Sequence, residues 1–282
     1  MAALEAAEDF IATELAATGL EVTRQPFSWR GRIFNNVIGR REGSDPARPW
    51  LVVGAHFDST PHTPGADDNA SAVAAMLEIA RLLSGRRPAA TIEYVGFNLE
   101  EVQQLVPPLY RIGSLHYARG LRAAGRRLAG ALVLEMVGYT GEKQSVPLGV
   151  NLVRKVPRTG DFLAAVGDGS SRHLLRALER AADGVLALVT LAVPLRGWLV
   201  PDTRRSDNAR FWDEGYPALM ITDTADLRNP HYHLESDTPD TLNYDFLASV
   251  TEVTARALME LASVSAAPVP PESRNESGPT RS

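Results

Sequence analysis

The chain of 282 residues contains no cysteine. This absence excludes disulfide bonds, thiolate catalysis and every zinc or iron–sulfur site that is built on cysteine. A metal bound by this protein must therefore be held by imidazole nitrogens and carboxylate oxygens. The sequence offers 6 histidines and 34 acidic residues for that purpose.

Long apolar runs and an excess of positive charge are also missing. No apolar run approaches the roughly 18 residues that a membrane span requires. The first residues (MAALEAAEDFIATEL) are acidic and lack the basic start of a secretory signal. With 29 Lys and Arg against 34 Asp and Glu, the formal net charge is −5. We therefore expect a cytoplasmic protein, with a secreted mature form as the alternative, that binds neither nucleic acid nor a membrane surface.

Hydrophobic patterning predicts an α/β fold. Short, continuously apolar strands alternate with helices, which is typical of a mostly parallel sheet covered by helices on both faces. The predicted strands are residues 34–39, 51–55, 91–97, 131–137 and 217–222, and the predicted helices are residues 3–18, 73–83, 114–124, 170–182 and 247–261. We expect a single domain over residues 1–265 whose sheet is mixed at the edge. The Pro-, Ser- and Gly-rich residues 266–282 are predicted to be a disordered tail.

Polar residues follow four of the predicted strands, at the point where each strand ends. In open parallel sheets, ligands bind beyond these carboxyl ends. The candidates are His56, Asp58, Asp67, Asp68, Glu100, Glu101, Glu135, Asp223, His231, His233 and Asp237. Because imidazole together with carboxylates suits zinc in particular, the pattern predicts a site for divalent metal at this edge.

Each piece of this pattern also has a simpler interpretation. Asp67 and Asp68 before a helix are typical of an N-cap at the positive end of the helix dipole. The pair Glu100 and Glu101 is typical of a solvated loop. Glu135 is harder to explain in this way, because a carboxylate inside an apolar strand is costly unless it is paired or bound to a metal. The occurrence of all the pieces at successive strand ends favours the metal site.

Five sequence blocks together resemble the co-catalytic dizinc aminopeptidase family: GAHFDS, PGADDNAS, an EE pair after a strand, LEMVGY and NPHYHLESDTPDTL. The resemblance is to bacterial leucyl aminopeptidases and aminopeptidase Y, and the family also includes glutaminyl cyclases and glutamate-carboxypeptidase-like proteins. It extends over residues 35–264. It implies a zinc-exopeptidase-like domain that binds two Zn²⁺ ions and hydrolyses the N-terminal peptide bond of a peptide or amino-acid derivative.

The resemblance also implies a set of metal ligands. Asp68 would bridge the two zinc ions, His56 and Glu135 would complete the first site, and Glu101 and His233 would complete the second. Glu135 stands where much of the family has Asp, so the reach of this ligand differs by one methylene.

Further roles are implied for residues beside these ligands. Glu100 would be the general base that acts on the water between the metals, and Tyr232 would donate to the oxyanion. Asp58 would accept the second ring N–H of His56, which is a common support for a metal-bound imidazole. The peptide bond between Asp68 and Asn69 is expected to be cis.

Two other functions remain open at this point. Glutaminyl cyclases typically carry Trp where this chain has Tyr232, and they work with one zinc ion, so Tyr232 favours the peptidase. Receptor-like relatives are non-catalytic binding proteins that usually lose several ligands, whereas all five matched positions are filled here.

Asn208 stands where His is frequent in the family. Residues 102–112 are either a rim that shapes the pocket for the first substrate residue or an ordinary surface loop.

Overall fold

The computed structural model describes residues 2–101, 111–146, 150 and 155–263. The predicted tail over residues 266–282 lies outside the described residues, as does all of the 102–112 segment except Arg111 and Ile112. Both interpretations of these segments therefore stay predictions.

Eight strands form a single mixed sheet. They are β1 (Glu21–Trp29), β2 (Arg32–Arg41), β3 (Trp50–His56), β4 (Ile92–Phe97), β5 (Leu128–Glu135), β6 (Leu163–Asp168), β7 (Leu188–Val193) and β8 (Ala218–Thr222). Their order across the sheet is β1-β2-β4-β3-β5-β8-β6-β7. The four central strands β4, β3, β5 and β8 run parallel, whereas β2 and β6 are antiparallel to their central neighbours. This arrangement confirms the predicted mostly parallel α/β sheet.

Helices cover both faces of the sheet. They are α1 (Ala2–Ala17), α2 (Ala72–Leu82), α3 (Ile112–Ala123), α4 (Arg172–Ala182), α5 (Asn208–Asp213) and α6 (Tyr244–Leu261). Side chains of a strand alternate between the faces. In β5, Leu132 and Leu134 join the core beneath α1, α2, α4 and α6, and Val133 joins the core beneath α3 and α5. None of the helices in the described ranges has the length and hydropathy needed to cross a membrane.

Three strands lie outside the predicted set, and all three are near the margins of the sheet. In β1, only Phe27 is buried, so the strand lacks an apolar pattern. It pairs with β2 through the turn at Arg30 and Gly31, which both have positive φ, as two-residue hairpins require. The strands β6 and β7 contain six residues each and fall in stretches whose periodicity is weak.

The parallel centre of the sheet determines where the candidate residues meet. His56 pairs in register with Phe97, and Glu135 pairs with Thr222. The carboxyl ends of β3, β4, β5 and β8 therefore lie along one edge. The polar residues that follow each strand are brought together there.

Candidate metal centre

His56 is the last residue of β3 and is completely buried. Its Nδ1 atom lies 3.0 Å from the backbone carbonyl of Asp58. Because a carbonyl can only accept, Nδ1 carries the proton, and Nε2 faces the sheet edge. There Nε2 lies 3.4 Å from Oδ1 of Asp68 and 3.5 Å from Oε2 of Glu135. We call His56, Asp68 and Glu135 the first cluster.

The support of His56 differs in detail from the expectation for Asp58. The Oδ1 atom of Asp58 is 3.7 Å from Nδ1 of His56, so the hydrogen bond to the ring comes from the backbone carbonyl rather than the carboxylate. The carboxylate instead accepts the backbone N–H groups of Glu100 and Glu101 at 3.0 and 2.9 Å. The loop after β4 lies so close that its backbone N–H groups, rather than the ring of His56, bind the Asp58 carboxylate. Asp58 therefore fixes both the imidazole and the two glutamates.

Asp68 lies in a tight turn before α2, and its peptide bond to Asn69 is cis. Both sides of the turn are anchored. The carboxylate of Asp237 accepts the backbone N–H groups of Asp67 and Asp68 at 2.9 and 3.1 Å. The side chain of Asn69 accepts from the N–H of Met136 and donates to the carbonyl of Leu134, at the end of β5. These bonds hold the Asp68 carboxylate between His56 and Glu135 on one side and Glu101 and His233 on the other.

On its other side, Asp68 meets His233 and Glu101. The Nε2 atom of His233 is 3.0 Å from Oδ2 of Asp68 and 2.9 Å from Oε1 of Glu101. We call Asp68, Glu101 and His233 the second cluster. In each cluster the three potential ligand atoms lie within 4.8 Å of one another. The two clusters share Asp68, but through different oxygens.

The proximity of so many ionisable groups shifts their pKa values. Although burial opposes the change, the hydrogen bond from His233 and the nearby charge of His56 lower the pKa of Asp68. Burial likewise opposes the rise at His233, but hydrogen bonds to Asp68 and Glu101 raise its pKa to about 10. Burial raises the pKa of Glu101 to about 7. Against the effect of burial, Glu135 and Asp68 raise the pKa of His56 well above its ordinary value. The carboxylates of the two clusters thus stabilise the protonated, positively charged forms of His56 and His233.

The residues of the first cluster fit a cation. Among the described residues, Nε2 of His56 and Oδ1 of Asp68 have no hydrogen-bond partner, although both atoms are buried. An unsatisfied buried polar atom costs about 1–3 kcal/mol. A divalent cation between these two atoms and Glu135 would satisfy both. Imidazole nitrogen with carboxylate oxygen is a donor set that zinc accepts.

Glu100 is buried beside the two clusters. Its Oε1 atom lies 2.8 Å from Nε of Arg111, the residue that precedes α3. Burial raises the pKa of Glu100 well above its ordinary value, while the charges of Arg111 and His56 oppose this rise.

The hydroxyl of Ser206 donates to Oε2 of Glu135 at 2.6 Å. Neither Arg111 nor Ser206 was among the predicted site residues. Ser206 is the first residue of a recognisable signal, the Ser-Asp-Asn string that ends at Asn208.

Tyr232 lies at the border between the second cluster and an apolar pocket. Its ring stacks on the ring of His233, with 3.7 Å between centroids and 22° between planes. Burial and the charges of Asp68 and Glu101 raise the pKa of Tyr232, so its hydroxyl keeps its proton. Asn208, by contrast, donates to the carbonyl of Thr203 at 3.0 Å.

Two cavities of different shape meet the centre. A pocket of about 130 Å³ adjoins Glu135 and Tyr232. Its wall contains apolar residues of β6, β7 and β8, namely Ala164, Val166, Val189, Leu191 and Met220. A wider groove of about 1220 Å³ adjoins Asp58 and Glu101 and runs between α1 and α2. The small pocket thus adjoins Glu135 of the first cluster and Tyr232 beside the second, whereas the wide groove adjoins Glu101 of the second cluster.

Comparison with known proteins decides the family. The sequence profile described as Peptidase family M28 matches residues 36–258. The chain belongs to this family. The resemblance seen in the five sequence blocks is thereby confirmed.

Among curated relatives, the uncharacterized protein YfbL of Escherichia coli is 32% identical over 260 residues, which is 88% of this chain and 78% of YfbL. Seven further relatives are named as zinc metalloproteases or aminopeptidases and are 24–29% identical. The chain spans only 47–62% of their length. These names support a metallopeptidase hydrolase.

Solved structures establish the fold. BSAP, a zinc aminopeptidase from Bacillus subtilis, is 24% identical with a TM-score of 0.62, over 84% of this chain and 52% of that protein. A glutaminyl cyclase from Tannerella forsythia is 20% identical with a TM-score of 0.64, over 93% of this chain and 90% of the cyclase. The zinc-exopeptidase-like fold is thus confirmed.

Proposed function

We propose that the chain is a zinc-dependent aminopeptidase. The observation that carries the proposal is the position of Asp68 between the two clusters, with Oδ1 facing His56 and Oδ2 facing His233. In this proposal His56 and Glu135 would hold one zinc ion, Glu101 and His233 would hold another, and Asp68 would contribute to both sites. Two divalent ions held in this way polarise a scissile carbonyl and lower the pKa of the water between them.

Glu100 is the general base in this proposal. It accepts a proton from the attacking water and returns it to the nitrogen of the leaving amine as the C–N bond breaks. Asp58 holds the backbone of Glu100, and Arg111 binds its Oε1 atom. Oε2 is then the oxygen that reaches the water. The protonated hydroxyl of Tyr232 donates to the carbonyl oxygen as negative charge develops there.

The two cavities support cleavage after the first residue of the substrate. The pocket beside Glu135 has room for one side chain, whereas the groove beside Glu101 has room for several residues. If the terminal residue of a substrate occupies the pocket, the peptide bond next to that residue is the one that is cleaved. In this proposal that end is the N-terminus, which the aminopeptidase names among the relatives support.

The test combines metal content with activity on matched substrates. We expect the purified protein to contain zinc and to hydrolyse leucyl p-nitroanilide, but not its N-acetylated form. Glu100→Gln should keep the zinc and lose about 10²- to 10⁴-fold in kcat, which is the usual contribution of a general base. Equal activity on the acetylated substrate, or full activity after zinc is removed by a chelator, would contradict the proposal.

Glutaminyl cyclisation is the second candidate, because the likeness to the cyclase structure covers 90% or more of both chains. Tyr232 favours hydrolysis instead, since the cyclases typically have Trp before the last ligand. A peptide with N-terminal Gln separates the two reactions, because cyclisation releases ammonia and leaves every peptide bond intact. Ammonia release without hydrolysis of leucyl p-nitroanilide would establish the cyclase.

A further inference from the structure

We infer that Arg205 is a positioning residue that directs the hydroxyl of Tyr232 toward the candidate metal centre. This inference rests on the proposed function, because it assigns Tyr232 a hydrogen bond to the carbonyl oxygen under attack. Nothing in the motifs of the sequence pointed to Arg205. The geometry that connects the two residues carries the inference.

The contact between the two side chains has a defined direction. Nη2 of Arg205 lies 3.3 Å from the hydroxyl oxygen of Tyr232. Since a guanidinium can only donate, the tyrosine oxygen is the acceptor of this hydrogen bond. The hydroxyl proton is therefore left for an acceptor on another side. Without Arg205, the same proton could turn to solvent or to any nearby oxygen.

Both partners are held in place by further contacts. Nη1 of Arg205 lies 2.8 Å from Oδ1 of Asp226. The ring of Tyr232 stacks on the ring of His233, a member of the second cluster. The remaining freedom of the Tyr232 side chain is the rotation of its O–H bond. That rotation is the motion that Arg205 restricts.

Stability of the fold does not explain the arrangement. The side chains of Arg205 and Asp226 are 40% and 41% exposed, and ion pairs of this exposure contribute little to stability. A variant without Arg205 should therefore fold. Arg180 offers a matched control, because it forms an ion pair with Glu260 whose side chains are similarly exposed, at 58% and 47%, between α4 and α6.

The experiment is a double-mutant cycle on the zinc-loaded chain of 282 residues. We expect Arg205→Met to lower kcat for leucyl p-nitroanilide by about 10-fold, with KM and zinc content unchanged. Tyr232→Phe should cost about 10²-fold, as the loss of an oxyanion donor usually does. The double variant should be no slower than Tyr232→Phe alone, and Arg180→Met should match the wild type.

A binding measurement makes the test independent of turnover. Arg205→Met should weaken a tetrahedral phosphonate analogue of a leucyl dipeptide by about 10-fold in calorimetry, while L-leucine binds as before. In the Tyr232→Phe background this difference should vanish. Additive losses in kcat, or an equal loss of affinity for L-leucine, would overturn the role of Arg205. A wild-type protein that hydrolyses no aminoacyl substrate would instead overturn the proposed function itself.

Discussion

The two clusters that share Asp68 are built from different kinds of structure. His56 ends a central strand and its side chain is 0% exposed, whereas His233 lies in the loop after β8 and its side chain is 26% exposed. The imidazole nitrogen of the first cluster stands 3.4 and 3.5 Å from its carboxylate oxygens. In the second cluster the corresponding distances are 3.0 and 2.9 Å.

These distances have a direct meaning for metal binding. Tetrahedral zinc with nitrogen and oxygen ligands at about 2.0–2.2 Å separates neighbouring ligand atoms by about 3.3–3.6 Å. The first cluster already has this spacing, because strand ends fix His56 and Glu135. In the second cluster His233 binds Asp68 and Glu101 directly, and its nitrogen–oxygen distances are about 0.4 Å shorter than the zinc spacing. The first cluster, which strand ends hold in place, therefore already has the spacing that zinc requires. The second cluster, whose Glu101 and His233 lie in loops, reaches that spacing only if these side chains move.

The largest expected effect comes from removing one histidine from each cluster. We expect the wild type to retain two zinc ions per chain after dialysis, and His233→Ala to retain one at nearly the original affinity. His56→Ala should weaken the tighter site by more than about 100-fold, since even residues that only support a ligand contribute 10- to 100-fold. Zinc titration of the metal-free protein, with metal analysis after dialysis, measures both changes.

His173→Ala is the control for this pair. His173 is exposed and binds the backbone carbonyl groups of Ser170 and Ala129, so its loss should leave zinc binding unchanged. If His233→Ala removed the tighter ion and His56→Ala the weaker one, the comparison of a prepared and an adaptable cluster would be wrong.

The ease with which the sequence predicts these residues follows the same division. His56 and Glu135 belong to strands with strong apolar patterns, so both their place at the sheet edge and the cost of an unpaired Glu135 could be read from the sequence. Glu101 and His233 lie in loops that follow strands, so the pattern placed them near the same edge, but their roles as ligands came only from the resemblance of their motifs. For such loop residues the local pattern does not predict a partner.

Supporting contacts were harder to predict than ligands. Ser206 reaches Glu135 across 71 positions of the chain, and Arg111, the residue that precedes α3, meets Glu100. A serine or an arginine in a polar stretch has no periodicity that reveals such a partner. The contact of Asp58 was misassigned for a related reason, since its spacing from His56 does not tell whether the carbonyl or the carboxylate faces the ring.

A smaller effect is expected from the two cavities that adjoin the clusters. Ala164→Phe fills the pocket beside Glu135, and we expect it to lower kcat/KM for leucyl relative to alanyl p-nitroanilide. The change should be about 10- to 200-fold, the range that small differences in a hydrophobic pocket produce. The matched variant in the groove is Ala74→Phe on α2. It should preserve the leucyl-to-alanyl ratio and reduce activity several-fold only toward peptides of three or more residues. The opposite outcome would place the first substrate residue in the groove.

The smallest expected effect is a pH dependence of the metal-free protein. The raised pKa of His233, about 10, means that folding strengthens its proton binding. Its contribution to stability is complete below the unfolded pKa near 6.5 and disappears as the pH rises through 10. Folding also raises the pKa of Glu101, from 4.5 to about 7. Its contribution to stability therefore also falls as the pH rises from about 4.5 to 7. We therefore expect the thermal midpoint of the metal-free wild type to exceed that of His233→Ala by a few degrees at pH 6, and this difference to shrink toward pH 10.

Zinc should reverse the direction of this dependence. The ion requires a neutral imidazole and ionised carboxylates, so its affinity rises with pH until these groups have lost their protons. The second cluster should respond more strongly than the first, because the hydrogen bonds that hold the proton on His233 are the ones that zinc must replace. Thermal midpoints measured with and without saturating zinc from pH 6 to 8 would reveal this opposite slope. A parallel decline in both series would show that the second cluster keeps its hydrogen bonds when the protein is saturated with zinc, and that only the first cluster binds metal.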